Sequence, residues 1–245
     1  MVHPDSTDTL IWSLGADLTP VRRLAPPGQR MLVWLAIVCT IALALTLVSD
    51  VGATIRRLTA ASDMWLAGVG SMLTALLAAT AALQLSLPDR KPVWALLPLP
   101  TLLLWIGASG MGCLRPWSVA EAYPMPPGQT EHCLTFIVGL SVPLSLGFIV
   151  MLRRGFSLRP RLTAIVGGLA CASAAATLLN FIHPYDAAAA DLAVHALAIA
   201  IVIVANAILG GRILISNSES KSSLAKDKAH VVKEHRDQWS KHLRS

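Results

Sequence analysis

The chain has 245 residues, 54% of them hydrophobic and only 14% charged, with a formal net charge of +6. A soluble domain carries roughly 25% charged residues to coat its surface, so this composition speaks against a water-soluble globule. The positive balance would suggest nucleic acid only if the charges were mixed through a fold, and here they lie between long apolar runs.

Residues 1–30 form the first segment. Leu10, Ile11, Leu14 and Leu18 share one face at helical spacing, with Thr9 and Asp17 elsewhere. Thr7 or Asp8 suits an N-cap, and Pro20 stops the turn before a basic pair and a Pro-Pro-Gly linker. So short a helix needs a surface on which to bury its leucines. One reading lays it on the inner leaflet. The other docks it in the groove of a cytoplasmic partner. Surface helices are typically rich in Lys and Arg, and the acids here favour the partner. The first apolar run starts only near Met31, behind this charged segment, which is not the layout of a cleaved signal peptide.

Six uncharged stretches follow: Met31–Val48, Met64–Leu87, Val93–Met111, Leu134–Leu152, Leu162–Ile182 and Leu192–Gly211. Each is near the roughly 20 residues that cross ~30 Å of hydrocarbon as a helix. Backbone polar groups in lipid must be satisfied within the segment, and the alternation of barrel strands is missing, so the expected fold is all-α, a bundle of six transmembrane helices. Pro98 and Pro100 predict a kink or a shifted boundary in the third. Of the 20 Lys and Arg, all but Arg56, Arg57 and Arg115 fall in the segments on one side of this alternation. The positive-inside rule then puts both termini in the cytoplasm and the protein in a bacterial inner membrane. The expected organisation is residues 1–30 as a cytoplasmic binding segment, 31–214 as the membrane domain and 215–245 as a charged, polar tail with no assigned role.

On the opposite side, the loop 112–132 carries Cys113, Trp117, Tyr123, Glu131 and His132, with Cys133 at its edge. The segment after the fifth span adds His183, Tyr185, Asp186 and Asp191. In an oxidising periplasm Cys113 and Cys133 suit a structural disulfide, or inert thiols. Cys, His and carboxylate together equally suit a soft or borderline metal, although no tight C-x-x-C spacing supports one. Within the spans, His195 is the main ionisable residue and a functional candidate. Cys39 and Cys171 read as small packing residues, and Gly107, Gly110, Gly167 and Gly168 as points of close helix approach. No Walker loop, dinucleotide glycine pattern, G-x-S-x-G or H-E-x-x-H occurs, so neither an enzyme nor a cofactor is expected. A small transporter for a metal or other solute is the alternative to a regulator. It would need polar residues lining a path, and the spans offer few beyond Ser, Thr, Gln84, Asn180 and His195.

Three stretches taken together resemble one family. LIWSLGADLTPVRRLAPPGQR, CLTFIVGLSVPLSLGFIVMLRRGFSLRP and HPYDAAAADLAVHALA follow, in order and spacing, the pattern of the NrsF family of negative regulators of sigma F, over residues 8–214. That resemblance implies an anti-sigma factor that holds an extracytoplasmic-function sigma factor at the membrane and releases it on a periplasmic signal, heavy-metal or oxidative. It implies contact with the sigma factor through Leu10, Ile11, Leu14, Asp17, Leu18, Pro20, Val21 and Arg22, with membrane lipid as the other partner and no direct nucleic-acid binding. Cys133 falls on the first cysteine of the family pair, whereas His183, before Pro184, stands in the place of the second. His195 matches a family histidine, but Val194 replaces the tryptophan before it. The signal-sensing set is therefore Cys113, Cys133, His183 and His195. Cys133 and His183 could share a metal but not a disulfide, and Cys113 is the alternative second thiol.

Overall fold

The structure, a computed structural model, describes residues 25–50, 62–118, 129–155, 157–179 and 189–216, together with Gly15, Gly52, Ile55, Glu219, Ser220 and Ser223. Among these residues the regular structure is entirely helical. The helices are α1 (Pro27–Thr46), α2 (Ser62–Leu85), α3 (Leu99–Ser118), α4 (Gln129–Arg153), α5 (Pro160–Leu179) and α6 (Ala189–Ala205). A 3-10 segment, Pro92–Leu96, leads into α3, and α6 passes through a π-helical turn, Asn206–Gly210, before continuing to residue 216. Among the described residues six helices are long and apolar enough to cross a membrane, matching the six expected stretches.

The boundaries differ from expectation where proline acts. Pro27 occupies the first turn of α1, where its missing N–H costs nothing, so the helix begins there and not at Met31. In the third span, Pro98 and Pro100 break the helix as expected: the 3-10 turn ends at Leu96, and the α-helix runs on from Leu99. Pro98 still contributes its carbonyl, which accepts from the Leu102 N–H at 2.9 Å.

α5 is the centre of the bundle. Buried positions make up 78% of its membrane-length window, against 11% for α1. Its sequence GGLACASAAA removes side-chain bulk all round, so three neighbours approach its backbone. A Cβ on Gly168 would lie 2.8 Å from the Cβ of Asn206 on the π turn, so only glycine admits that contact. Beside it, Gly167 lies under the ring of Phe148 from α4, which a Cβ would meet at 3.1 Å. The alanine face of α2 (Ala75, Ala78, Ala79, Ala82) belongs to the same core. Gly107 and Gly110 behave otherwise: nothing lies within 4 Å of the position a Cβ would take, so these two do not mediate the packing expected of them. Cys171 is buried in the core as expected, but Cys39 is exposed on α1 and is not a packing residue.

Many large apolar side chains, among them Leu43, Leu103, Leu146 and Leu209, stay more than half exposed. So large an apolar surface would drive association in water and is the expected outer face of a bundle in lipid. Several polar side chains, by contrast, turn inward and pair between helices. Thr177 donates to Ser71 (2.9 Å), Thr74 to Thr101 (3.1 Å), and Asn206 Nδ2 to Ser145 Oγ (3.0 Å). Such bonds hold apolar helices together where the hydrophobic effect does not.

Candidate functional site

The N-terminal contact residues Leu10, Ile11, Leu14, Asp17, Leu18, Pro20, Val21 and Arg22 lie outside the described residues; within their segment only Gly15 is described, helical and exposed. His183 also lies outside. Cys113 sits on the last turns of α3 and Cys133 on the first turns of α4, which places both backbones at the same end of the bundle. His195 is half-buried on α6, toward that end. Among the described residues no three His, Cys, Asp or Glu side chains converge as a metal site requires.

At the other end, where α1 and α5 begin and α2 and α4 finish, the structure forms a polar node that the sequence reading missed. Its centre is Arg30, counted above among the basic residues outside the membrane yet only 5% exposed. The reason lies in the start of α1. Because Pro27 opens the helix, Arg30 falls in its first turn and Trp34 follows one turn later on the same face. These two are the buried residues of α1. Arg30 Nη1 donates to Ser86 Oγ at 3.0 Å, just past the end of α2, and Nη2 donates to the Met151 carbonyl at 2.6 Å, in the last turn of α4. The guanidinium therefore caps the C-terminus of α4 through a backbone carbonyl and sits beside that of α2 through the Ser86 hydroxyl, where both helix dipoles favour a cation. A buried cation is costly unless its donors are engaged, and the fork of Arg engages two acceptors on two helices at once. Its Nε finds no partner.

The remaining members of the node stitch α2 to the α4–α5 turn. Ser86 passes its own proton to Leu83 O at 2.6 Å. Ser157 and Thr163 share a hydrogen bond at 2.8 Å, and the hydroxyl that accepts in it donates in turn to a backbone carbonyl, Ser157 to Leu85 O (3.2 Å) or Thr163 to Arg159 O (3.0 Å). Gly155 closes the turn after α4, its N–H on Leu152 O at 2.9 Å. A Cβ there would lie 2.8 Å from the Ser86 carbonyl, so glycine is required for Ser86 to sit where Arg30 reaches it. One turn deeper, Trp34 packs edge-on against Phe148 with ring centroids 5.6 Å apart at 69°. The same Phe148 ring lies over Gly167 of α5. Contacts thus run unbroken from the first helix through α4 to the central helix.

Arg30 was legible in one respect: the Pro-Pro-Gly-Gln-Arg run allows a helix to start before the arginine. Its burial was not, because the acceptors come from residues 56 and 121 positions away.

This architecture defines the class: an all-helical protein with helices of membrane-crossing length, whose described inward polar groups largely tie helix to helix. Residues 14–215 match the family described as NrsF, negative regulator of sigma F, and the chain belongs to that family. No curated protein and no solved structure matches it. Membership makes the protein a negative regulator of a sigma factor, a regulatory and not an enzymatic role, with a sigma factor as its partner.

Proposed function

We propose that the protein is a membrane-bound anti-sigma factor of the bacterial inner membrane with both termini cytoplasmic. Its N-terminal segment sequesters an extracytoplasmic-function sigma factor, and a metal or oxidative signal on the periplasmic side releases it. The family match carries this reading. The amphipathic face Leu10, Ile11, Leu14 and Leu18 supports the segment as the docking element, with Asp17, Pro20, Val21 and Arg22 completing the contact. The one-sided distribution of Lys and Arg supports the orientation, since it makes the basic end of the bundle the cytoplasmic face. Cys113, Cys133, His183 and His195 serve as the sensing residues, with Cys133 and His183 as metal ligands if the signal is a metal ion. A transporter is disfavoured because Ser71, Thr74, Thr101, Ser145, Thr177 and Asn206 pair with one another across helix interfaces, which leaves Gln84, Ser141 and Ser173, among the described residues, as buried polar side chains without a partner.

Copurification of a tagged chain with its co-encoded sigma factor, with and without residues 1–24, tests the reading directly. That deletion leaves α1 whole. Capture should be lost and sigma-dependent transcription should rise; unchanged capture would sink the proposal. A signal acts only through its differential affinity for two states of the bundle. Substituting Cys113, Cys133 and His183 singly, with a sigma-dependent reporter read under metal or oxidant challenge, should blunt induction for at least one. Wild-type induction in all three would remove the sensing role.

A further inference from the structure

The helix that carries the N-terminal segment is lightly held, with 11% of its membrane-length window buried, the same share as in the third span, and its fully buried anchors lie near one end. Along α1 only Arg30 and Trp34 are buried, Met31, Leu35, Val38 and Ile41 pack against the core half-buried, and Leu43, with Leu47 and Val48 just past the helix, faces outward. Both anchors lie in the first two turns, next to the residues that lead into the arm. Arg30 closes on the ends of α2 and α4, and Trp34 on Phe148. A helix whose buried anchors all lie in its first turns, with only half-buried contacts beyond them, loosens there at less cost than one buried along its whole length.

We propose that Arg30 and Trp34 form a clip that positions the arm for capture of the sigma factor, and that opening this clip is the step through which the bundle lets the sigma factor go. The proposal rests on the reading of the N-terminal segment as the capture element and names the residues that tie it to the bundle. Both are positioning residues: they touch the bundle, and the arm before them makes the contact with the partner. The chemistry suits a two-state device. The Arg30 bonds are short and charge-assisted, yet they are made to a serine hydroxyl and a helix-terminal carbonyl with no described carboxylate in contact. A shift of α2 against α4 that separates Ser86 from Met151 breaks the fork and leaves no buried anion, and the freed guanidinium, in the first turn of α1, must then turn out to water or lipid headgroups. Gly155 keys the geometry, since its closeness to the Ser86 backbone fixes where the first acceptor stands.

The test uses the full chain in membranes, with sigma-factor capture normalised to the amount of membrane protein and a sigma-dependent reporter read alongside. Arg30→Gln and Trp34→Ala should each reduce capture by fivefold or more and raise the reporter although residues 1–24 are intact. Arg30→Lys, which keeps the charge and loses the fork, should fall between them and wild type. Ser86→Ala, which removes one acceptor, should give the smallest loss. Leu43→Ala, on the exposed face of the same helix, should leave capture unchanged. Hydrogen exchange separates opening of the clip from collapse of the bundle: in Arg30→Gln the amides of α1 should exchange faster while those of α5 keep wild-type protection. If Arg30→Gln does not accumulate, Arg30→Lys and Ser86→Ala carry the comparison. Wild-type capture in the Arg30 and Trp34 variants, together with lost capture on deleting residues 1–24, overturns the clip and leaves the arm reading standing. Unchanged capture on that deletion overturns the arm reading and the clip with it. Equal loss of protection in α1 and α5 would also overturn the clip, because the effect would then be one of global unfolding.

Discussion

α5 and α1 are both twenty-residue helices of similar apolarity, and they sit in the bundle in opposite ways. α5 is small-sided on every face and surrounded. α1 is bulky, exposes much of its surface and buries only Arg30 and Trp34, with Met31, Leu35, Val38 and Ile41 packed half-buried against the core. The difference teaches where rigidity and freedom lie. In the lipid setting of the proposed function there is little hydrophobic gain in burying a leucine, so close packing of small residues and interhelical hydrogen bonds decide which helices form the core. A helix rich in Leu, Ile and Val remains at the edge unless something specific holds it.

Substitutions can break or sharpen this contrast. The largest effect is expected from Gly168→Leu, which places bulk where even a Cβ lies 2.8 Å from Asn206. The α5–α6 contact should open at a cost of about 3 kcal/mol, seen as loss of a cooperative melt in detergent. An unchanged melt would mean that α5 is not the tightly packed centre. Trp34→Ala removes one of the two buried anchors of α1. It should lower bundle stability by about 2 kcal/mol, below the usual range for a buried aromatic because lipid or detergent refills part of the gap. Asn206→Leu removes the bond to Ser145 and should cost about 1 kcal/mol in the same assay, the scale of an interhelical hydrogen bond in a membrane protein. Leu43→Ala should change stability by less than about 0.5 kcal/mol, since the side chain is 66% exposed. A larger loss there would show that the outer face of α1 is covered by something other than lipid.

The candidate site divides along the same line. Cys113, Cys133 and the leucines of the N-terminal segment were nominated because their residue types carry chemistry that a local pattern exposes. Arg30 was not, because nothing near it in sequence distinguishes a basic residue flanking a membrane span from one folded back beneath it. Its acceptors are a serine hydroxyl after α2 and a carbonyl near the end of α4, and no local pattern announces that these meet.

The sequence by itself determined the number of membrane-length helices, the break at Pro98 and the small-residue character of the fifth span, because hydrocarbon thickness, the missing proline N–H and side-chain volume act within a segment. Only the tertiary structure decided which helix became the centre and which the edge. It showed that Gly167 and Gly168 are in close contact while Gly107 and Gly110 face open space, and that Arg30 is buried. Those outcomes depend on which surfaces of separate helices come within a few ångströms of one another, and such contacts are made by residues far apart in the chain.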